Sequence, residues 1–307
     1  MRSLVVLGCV VATVVLPTAR AEADVLVTSS ESHSIEWFHN NGTWIDTFAS
    51  TGPRAPLGIA QSPKTGDVFV SSATTTILRY SSDGRPTSNW DTFTLPSSSG
   101  GNTIEGLLFD GAGNLYVGTE FGTSGYAQVI YVYPAAALAL PNPLPAFPIP
   151  TGLERGNQLA FDAAGDICIG AFIDETVRCF DPSSGVLVFD YHAEVLASGI
   201  SPTIEPTGLA FDAAGHLYLN STFGAQLVAE QTPHIGPLAV LASGLVPQVE
   251  FLTLNAGNIY MPSYTAGMSP DIVYEVNIAS GTVSKFITNH VWGPYQMIFA
   301  RVSKCHR

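Results

Sequence analysis

Short apolar runs, each followed by a polar turn and a second apolar run, recur along the chain. The clearest copy spans Ile104 to Val117 and reads IEGLLFDGAGNLYV; it returns over 156–169 and 206–219. Weaker copies cover 56–70 and 249–261. The third residues of the copies are Gly58, Gly106, Gln158, Gly208 and Phe251, which gives steps of 48, 52, 50 and 43 residues. A period of this length indicates a repeated unit of several secondary-structure elements.

Each copy predicts two adjacent strands of a sheet. Its first apolar run suits a strand that is buried on both faces. The Asp-x-x-Gly segment that follows predicts a tight turn, because the Asp side chain accepts backbone hydrogen bonds and Gly tolerates a positive φ. We therefore interpret Asp110, Asp162 and Asp212 as turn residues rather than catalytic acids. A third and a fourth strand follow some copies, for example at 129–132 and 186–189.

The two ends of the chain break this pattern in complementary ways. Residues 24–27 read as a second strand that no first strand precedes, and residues 294–299 read as a first strand that no second strand follows. Pairing the two completes one more unit and leaves no sheet edge open. The sequence therefore predicts an all-β, six-bladed β-propeller over residues 22–303. Its ring is closed by a C-terminal strand that joins the N-terminal blade, and a short tail, 304–307, lies outside it.

Residues 1–21 have the features of a signal peptide. Arg2 supplies a positive charge, residues 4–16 are apolar, and Ala19-Arg20-Ala21 is a small-x-small cleavage pattern. The apolar run is too short to span a membrane, and no later stretch predicts a span. We therefore expect a secreted or extracellular protein, which in a Gram-negative bacterium would be periplasmic or attached to the cell surface.

The composition restricts the class of partner. The chain holds 12 Lys and Arg against 25 Asp and Glu, a formal net charge of −13, and cleavage of the leader would remove two of the arginines. No cluster of basic residues is present, so the sequence argues against nucleic acid and other polyanions as partners. The 46% of hydrophobic and 12% of charged residues are typical of a globular core rather than of disorder.

Three of the four cysteines, Cys168, Cys179 and Cys305, lie in the mature chain. No Cys-x-x-Cys occurs, so a zinc ribbon or a thioredoxin-type motif lacks support. Cys168 and Cys179 lie on the predicted second and third strands of one unit, symmetric about a turn at 173–174. Opposed residues on antiparallel strands are close enough for a disulfide, so we predict this pair and leave Cys305 free. The alternative is two small side chains in the core.

The repeated phrase resembles the repeats of NHL and SMP-30/gluconolactonase-type propellers, in which a Pro- or Gly-rich inner strand precedes Phe-Asp-x-x-Gly-Asn-Leu-Tyr-Val. The resemblance covers nearly the whole mature chain. It implies that the innermost strand of each blade lines a central channel, and that the residue before the aligned position faces this channel. The implied ring consists of Leu57, Glu105, Asn157, Thr207, Glu250 and Tyr295.

The same resemblance implies a metal site. SMP-30-like lactonases hold a divalent metal in the channel with Glu, Asn and Asp. Glu105-Gly106 matches the family's Glu-Gly, and Asn157 partly matches its Asn-Gly-Leu, but Thr207 stands where a Pro-Asp-Gly would supply a ligand and the base. The implied ligands are Glu105, Asn157 and Glu250, and hard oxygen ligands of this kind suit Ca²⁺. The alternative is a hydrated polar channel that holds no cofactor.

Aromatic residues mark a second candidate site at the face where the inner strands begin, which we call the top face. The predicted second strands end in Phe121, Phe172, Phe223 and Tyr264, and Trp292 and Tyr295 lie near the last inner strand. Together with Thr207 of the ring, these residues are candidates for binding a sugar or an apolar ligand. Packing between blades is the alternative explanation.

No pattern in the sequence identifies catalytic residues. The histidines show no metal-binding spacing, and no Gly-x-Ser-x-Gly occurs. We therefore expect a ligand-binding or scaffold module that acts through its central channel and top face, with a small molecule, a carbohydrate or a protein as partner. The alternative is a metal-dependent hydrolase of the SMP-30/gluconolactonase type, and the sequence leaves open whether the protein is an enzyme.

Overall fold

The structure, a computed structural model, describes residues 23–87, 103–120, 128–140, 143–171, 173–192, 206–221, 228–232, 235–243, 245, 249, 251–264 and 271–303. The predicted leader and tail lie outside these ranges, as do Phe121, Phe172, Phe223 and Glu250. The described chain is mostly strand and includes a short 3₁₀ helix, Ala137–Ala139. No helix in this part of the chain has the length and apolar character needed to cross a membrane.

The strands form six sheets, of which five have four strands and one has three. The first sheet contains β1 (Asp24–Ser29), β2 (Ser34–Phe38) and β3 (Trp44–Ser50), and the three-stranded sheet contains β4 (Pro56–Gln61), β5 (Val68–Ser72) and β6 (Ile77–Tyr80). The third sheet contains β7 (Thr103–Phe109), β8 (Leu115–Glu120), β9 (Val129–Tyr133) and β10 (Phe147–Pro150). The fourth contains β11 (Gly156–Phe161), β12 (Ile167–Ala171), β13 (Thr176–Phe180) and β14 (Leu187–Asp190).

The remaining strands complete the set. The fifth sheet contains β15 (Pro206–Phe211), β16 (Leu217–Ser221), β17 (Val228–Thr232) and β18 (Ile235–Ala242). The sixth contains β19 (Thr253–Asn255), β20 (Asn258–Ser263), β21 (Ile272–Asn277) and β22 (Val283–Ile287). The last strand, β23 (Pro294–Ala300), belongs to the first sheet. Every strand pair is antiparallel, as short connections between consecutive strands require.

One strand of each sheet lies at a common centre. These inner strands contact one another in the order β23, β4, β7, β11, β15 and β19, and β19 contacts β23 again. Sheets that are arranged around a centre with their first strands innermost form a β-propeller. The all-β propeller predicted from the repeat is therefore confirmed.

The two ends of the chain meet in the first sheet. β23 is hydrogen-bonded to β1, with Val25 opposite Phe299 and Leu26 opposite Ile298. Val25, Leu26 and Met297 have no solvent exposure. β1 is thus covered on both sides, by β2 and by β23, although Thr28 of β1 and Gln296 of β23 are 268 positions apart in the sequence.

The phenylalanine of the repeated phrase packs between sheets. Phe109 meets Phe69 of the preceding sheet edge-to-face, with ring centroids 5.1 Å apart. Phe161 meets Tyr116 in the same way at 5.2 Å. Such aromatic contacts contribute beyond the area they bury, so the repeat carries its own means of joining one blade to the next.

The Asp-x-x-Gly segments form turns, as predicted. Oδ1 of Asp110 accepts a 2.8 Å hydrogen bond from the backbone N of Asn114, and Gly113 has a φ of +91°. In a second copy of the turn, His216 takes the place of Asn114, and its Nδ1 lies 2.7 Å from Oδ2 of Asp212. Burial raises the pKa of Asp212, but its hydrogen bonds with His216 outweigh this and hold the pKa below its usual value. These side chains therefore hold the turn.

Cys168 and Cys179 lie directly opposite each other on β12 and β13, with Cα atoms 4.0 Å apart, and the structure joins them by a disulfide. Both side chains are buried in the apolar cluster between the fourth and fifth sheets. The pair cross-links two strands that the ladder already holds in register, so the disulfide reinforces local structure rather than joining distant segments.

We expect the intact mass of the mature protein to rise by two hydrogen atoms on reduction. The disulfide closes a loop with a sequence separation of 11 residues, so in the chain-entropy account its loss destabilises the fold by roughly 3 kcal/mol. Thiol titration under denaturing conditions is the second readout, with Cys305 as the thiol available before reduction. Three titratable thiols in protein isolated without reductant would contradict the pairing.

Candidate ligand site in the central channel

Four of the six inner strands carry a β-bulge near their start. In each of these sheets the pairing between the inner strand and the second strand shifts register. The shift lies between Pro56 and Ile59 in β4 and between Ile104 and Gly106 in β7, and β11 and β15 have a similar shift. A bulge leaves an extra residue unpaired and turns its side chain away from the regular alternation. The residues at these bulges are Leu57, Glu105, Asn157 and Thr207, which are four of the six members of the predicted ring.

A hydrogen bond across the channel joins Tyr295 and Glu105. Oη of Tyr295 on β23 donates to Oε1 of Glu105 on β7 over 2.9 Å. Since β4 lies between β23 and β7 in the order of inner strands, the two side chains meet in front of β4, inside the ring. Glu105 is only 4% exposed, and the ring of Tyr295 packs against Phe251 with centroids 5.2 Å apart. The phenol therefore fixes one oxygen of a buried carboxylate.

Asn157 and Thr207 supply further polar groups on the next two inner strands. Asn157 is 4% exposed, and its Oδ1 is buried without a hydrogen-bond donor among the described residues. Thr207 is 2% exposed and donates to the backbone carbonyl of Val249 over 3.3 Å. A buried amide oxygen without a donor is unfavourable unless a water or a ligand satisfies it. The ring thus offers an oxygen acceptor next to a buried carboxylate.

The metal prediction depends on Glu105, Asn157 and Glu250. The structure places Glu105 and Asn157 on neighbouring strands, and Glu250 lies outside the described residues. Within the described ranges, the one cluster of three His, Cys, Asp or Glu ligand atoms is Asp162 with Cys168 and Cys179. Both of those sulfurs are in the disulfide, so they are not thiolate ligands.

The repeated glycine serves the contact between inner strands. A Cβ on Gly58 would overlap the backbone carbonyl oxygen of Glu105, and a Cβ on Gly106 would lie 2.6 Å from that of Asn157. Glycine thus lets β4 and β7 each approach the backbone carbonyl of the residue that carries the next ring side chain. The spacing of the ring depends on this close approach.

We expect Gly58→Ala to destabilise the fold by about 1–3 kcal/mol, because a rigid backbone carbonyl occupies the position of the new methyl group. Thermal and urea unfolding measure the effect. The control is Gly111→Ala, because no atom lies within 4 Å of a Cβ at that position. Equal stabilities of the two variants would show that the inner strands do not pack this closely.

Two glutamines that the sequence analysis did not single out join inner strands of different sheets. Oε1 of Gln158 accepts from the backbone N of Leu252 over 2.7 Å and of Leu209 over 3.1 Å, and its Nε2 donates to the Leu252 carbonyl over 2.6 Å. Oε1 of Gln296 accepts from Ile59 N over 2.7 Å. The available signal was that these two copies carry Gln where three others carry Gly. The sequence does not show where these side chains point, so it did not indicate that they form hydrogen bonds with other blades.

Besides Tyr295, two of the aromatic residues predicted for the top face are described. Trp292 is 51% exposed, and its backbone N donates to Oγ of Ser29 over 2.7 Å. Tyr264 is half-buried, and a Cβ on the adjoining Gly293 would lie 3.1 Å from its ring. The segment that carries Trp292 therefore packs beside Tyr264 at the top face. Phe121, Phe172 and Phe223 belong to the undescribed part of the chain.

No protein-family model matches this chain, and no curated protein matches its sequence. Its fold is shared with 1214 solved chains. A chain in the crystal structure of a nidogen/laminin complex matches with a TM-score of 0.66 and 16% identity, over 92% of this chain and 100% of that chain. A protein of unknown function from Bacteroides caccae matches with a TM-score of 0.64 and 15% identity, over 90% and 98%. Identities this low establish the propeller fold alone, and they do not establish the NHL or SMP-30 family.

Proposed function

We propose that the protein is a secreted, six-bladed propeller that binds a hydroxyl-rich small ligand, such as a sugar, in the upper part of its channel. The Tyr295–Glu105 hydrogen bond carries this proposal, because it brings a buried carboxylate and a phenol together in front of β4. Asn157 adds an amide oxygen that lacks a donor among the described residues. A ligand whose hydroxyl groups donate hydrogen bonds complements these acceptors.

The six-blade count and the closed ring are part of the proposal. The cyclic order of the inner strands and the pairing of β23 with β1 support them. The second sheet has three described strands, and its fourth strand would come from residues 88–102, which the structure does not describe. Secretion is supported by the leader pattern at 1–21 and by the disulfide, which is typical of oxidising compartments.

A neutral-sugar panel tests the ligand proposal. We expect glucose, galactose or mannose to raise the melting temperature, since a ligand that binds only the folded state stabilises it by RT ln(1 + [L]/Kd). Tyr295→Phe removes one hydroxyl group and should abolish the shift. Tyr274→Phe, which removes a hydroxyl group from β21 and not from an inner strand, is the control. If no sugar raises the melting temperature of the wild type, or if the sugar raises it equally in both Tyr→Phe variants, the channel is not a sugar site. A scaffold role would then remain.

A scaffold role has one observation in its favour. The similar chain from the nidogen/laminin complex comes from a protein–protein assembly, so a propeller of this shape can take part in one. The exposed Trp292 at the top face is the type of residue that such contacts use. A loss of partner binding in Trp292→Ala, with an unchanged melting temperature, would identify that face as the interface.

A metal-dependent hydrolase is the alternative function, and it is favoured by the buried Glu105 and Asn157 on neighbouring strands. Thr207, in place of the family's Asp, lacks a carboxylate to act as ligand or base, so the donor set fits a bound cation better than it fits the hydrolytic reaction. A bound Ca²⁺ would place positive charge beside the Glu105 carboxylate. Glu105 and Asn157 would hold it, with Glu250 as the third predicted ligand.

Metal binding predicts a stability effect. We expect Ca²⁺ to raise the melting temperature of chelator-stripped protein, with about 2.7 kcal/mol of stabilisation at a hundredfold excess over Kd. Glu105→Gln should remove most of that rise, and Glu154→Gln, at an exposed position, should leave it intact. Unchanged melting of the wild type in Ca²⁺, Mg²⁺, Mn²⁺ and Zn²⁺ would contradict the metal site and leave the hydrolase without support.

A further inference from the structure

A cavity lies where the inner strands finish, at the end opposite the described ring residues. Its volume is about 920 Å³, which is within the range of small-molecule sites. Gln158 and Gln296 line it, whereas none of the described ring residues does. The cavity is therefore lined by a different set of side chains from the ring.

The wall of this lower cavity has a polar part and a larger apolar part. The apolar part is built from the last residues of the inner strands, which include Leu108, Phe109, Phe161, Phe211, Ile298 and Phe299. All six side chains are half-buried, so each presents part of its surface to the cavity. Removing such surface from water favours an apolar occupant by about 25 cal/mol per Å².

The charge of the lower cavity is opposite to that of the chain. The formal net charge of the protein is −13, but the described lining contains two cations, Lys64 and Arg301, and no Asp or Glu. Other described arginines are neutralised, for example Arg79 by Asp67 and Arg178 by Asp190. The ion pairs found among the described residues involve neither Lys64 nor Arg301. Two uncompensated cations at an apolar cavity complement an anionic ligand.

A mostly buried side chain presents a hydrogen-bond donor to the cavity. Gln296 is 7% exposed, and its Oε1 is fixed by the backbone N of Ile59. Its Nε2 donates no hydrogen bond to any described residue. The other polar side chains at this point are engaged, since both ends of the Gln158 amide bind backbone groups. Gln296 Nε2 is thus available to an acceptor in the cavity.

We propose that the lower cavity binds a carboxylate with an apolar body and with a hydroxyl or keto oxygen at its inner end. The carboxylate lies at Lys64 and Arg301, the apolar body lies against the phenylalanines, and the inner oxygen accepts from Gln296. This site is independent of the proposed ligand in the upper channel.

The experiment measures binding of 10-hydroxydecanoate and decanoate to the full chain by calorimetry, below the concentration at which either aggregates. We expect saturable binding of both, tighter for the hydroxy acid, and weaker binding at high salt. Decanol should bind at least tenfold more weakly than decanoate, and decyltrimethylammonium should not bind. Equal binding of the cationic amphiphile, or binding only above the micelle concentration, would overturn the site in favour of nonspecific adsorption.

Variants locate the site. Lys64→Gln and Arg301→Gln should each weaken decanoate binding several-fold, in keeping with exposed ion pairs. Lys285→Gln, which removes an exposed cation on the outer strand β22, should leave the affinity unchanged. Ala160→Phe should fill the cavity and abolish binding, and the charge variants provide the test if that protein fails to fold. Glu105→Gln should have no effect on decanoate, which separates this site from the upper channel. Unchanged affinity in both charge variants would overturn the proposal.

Discussion

Deleting residues 292–307 is expected to abolish cooperative folding. The truncation removes β23, which pairs with β1 and contacts β4 and β19. It exposes Val25 and Leu26, both fully buried in the intact protein, and leaves β1 as an open sheet edge. It also removes Gln296, whose side chain accepts from Ile59 N in the second sheet. A domain is stabilised by about 5–15 kcal/mol in total, and the loss of a whole inner strand exceeds this margin.

The readouts are circular dichroism and a thermal melt. A chain that ends at Ser303 is the matched control, because it keeps β23 and lacks only the short tail; we expect it to melt like the full-length protein. If the shorter truncation folds with a sharp transition near that of the wild type, the C-terminal strand is not required to hold the N-terminal sheet.

Gln158→Leu is expected to destabilise the fold by roughly 3 kcal/mol or more. The substitution keeps a similar volume but leaves three buried backbone groups without their partner: Leu209 N, Leu252 N and the Leu252 carbonyl. Each buried group that loses its hydrogen bond costs about 1–3 kcal/mol. The melting temperature should therefore fall by several degrees, as measured by calorimetry.

The chain provides a matched control for this variant. Gln61 also makes three hydrogen bonds, with Gly66 and Arg301, but it does so at a partly exposed position at the end of β4. Water can replace those partners, so Gln61→Leu should lower the stability by less than about 1 kcal/mol. Similar losses in the two variants would mean that the Gln158 side chain does not brace the blades.

The sequence by itself was informative wherever the relevant contacts are local. The Asp-x-x-Gly turns, the pairs of strands around them and the facing of Cys168 and Cys179 all involve residues within about a dozen positions of each other. A repeated turn of this kind is specified by side-chain hydrogen bonding and by a positive φ, which act without the rest of the fold. Repetition of that local unit then indicated a propeller.

The two sites were decided by contacts that no local pattern contains. Tyr295 and Glu105 are 190 positions apart, and Gln158 and Leu252 are 94 apart. The sequence placed Tyr295 and Glu105 in one ring, but only the arrangement of the inner strands shows that they share a hydrogen bond. The sequence also gave no sign that a glutamine in the glycine position would form hydrogen bonds with two other sheets.

The sequence of this protein thus determined the blade. A blade is built from neighbouring strands, and their turns and apolar periodicity depend on residues that are close together in the sequence. The tertiary structure decided which side chains meet at the centre, because six inner strands from distant parts of the chain converge there. In four of these strands, a bulge also interrupts the regular alternation of side-chain directions. The phenol–carboxylate pair, the two glutamines that join inner strands and the cation-lined lower cavity exist only after that convergence.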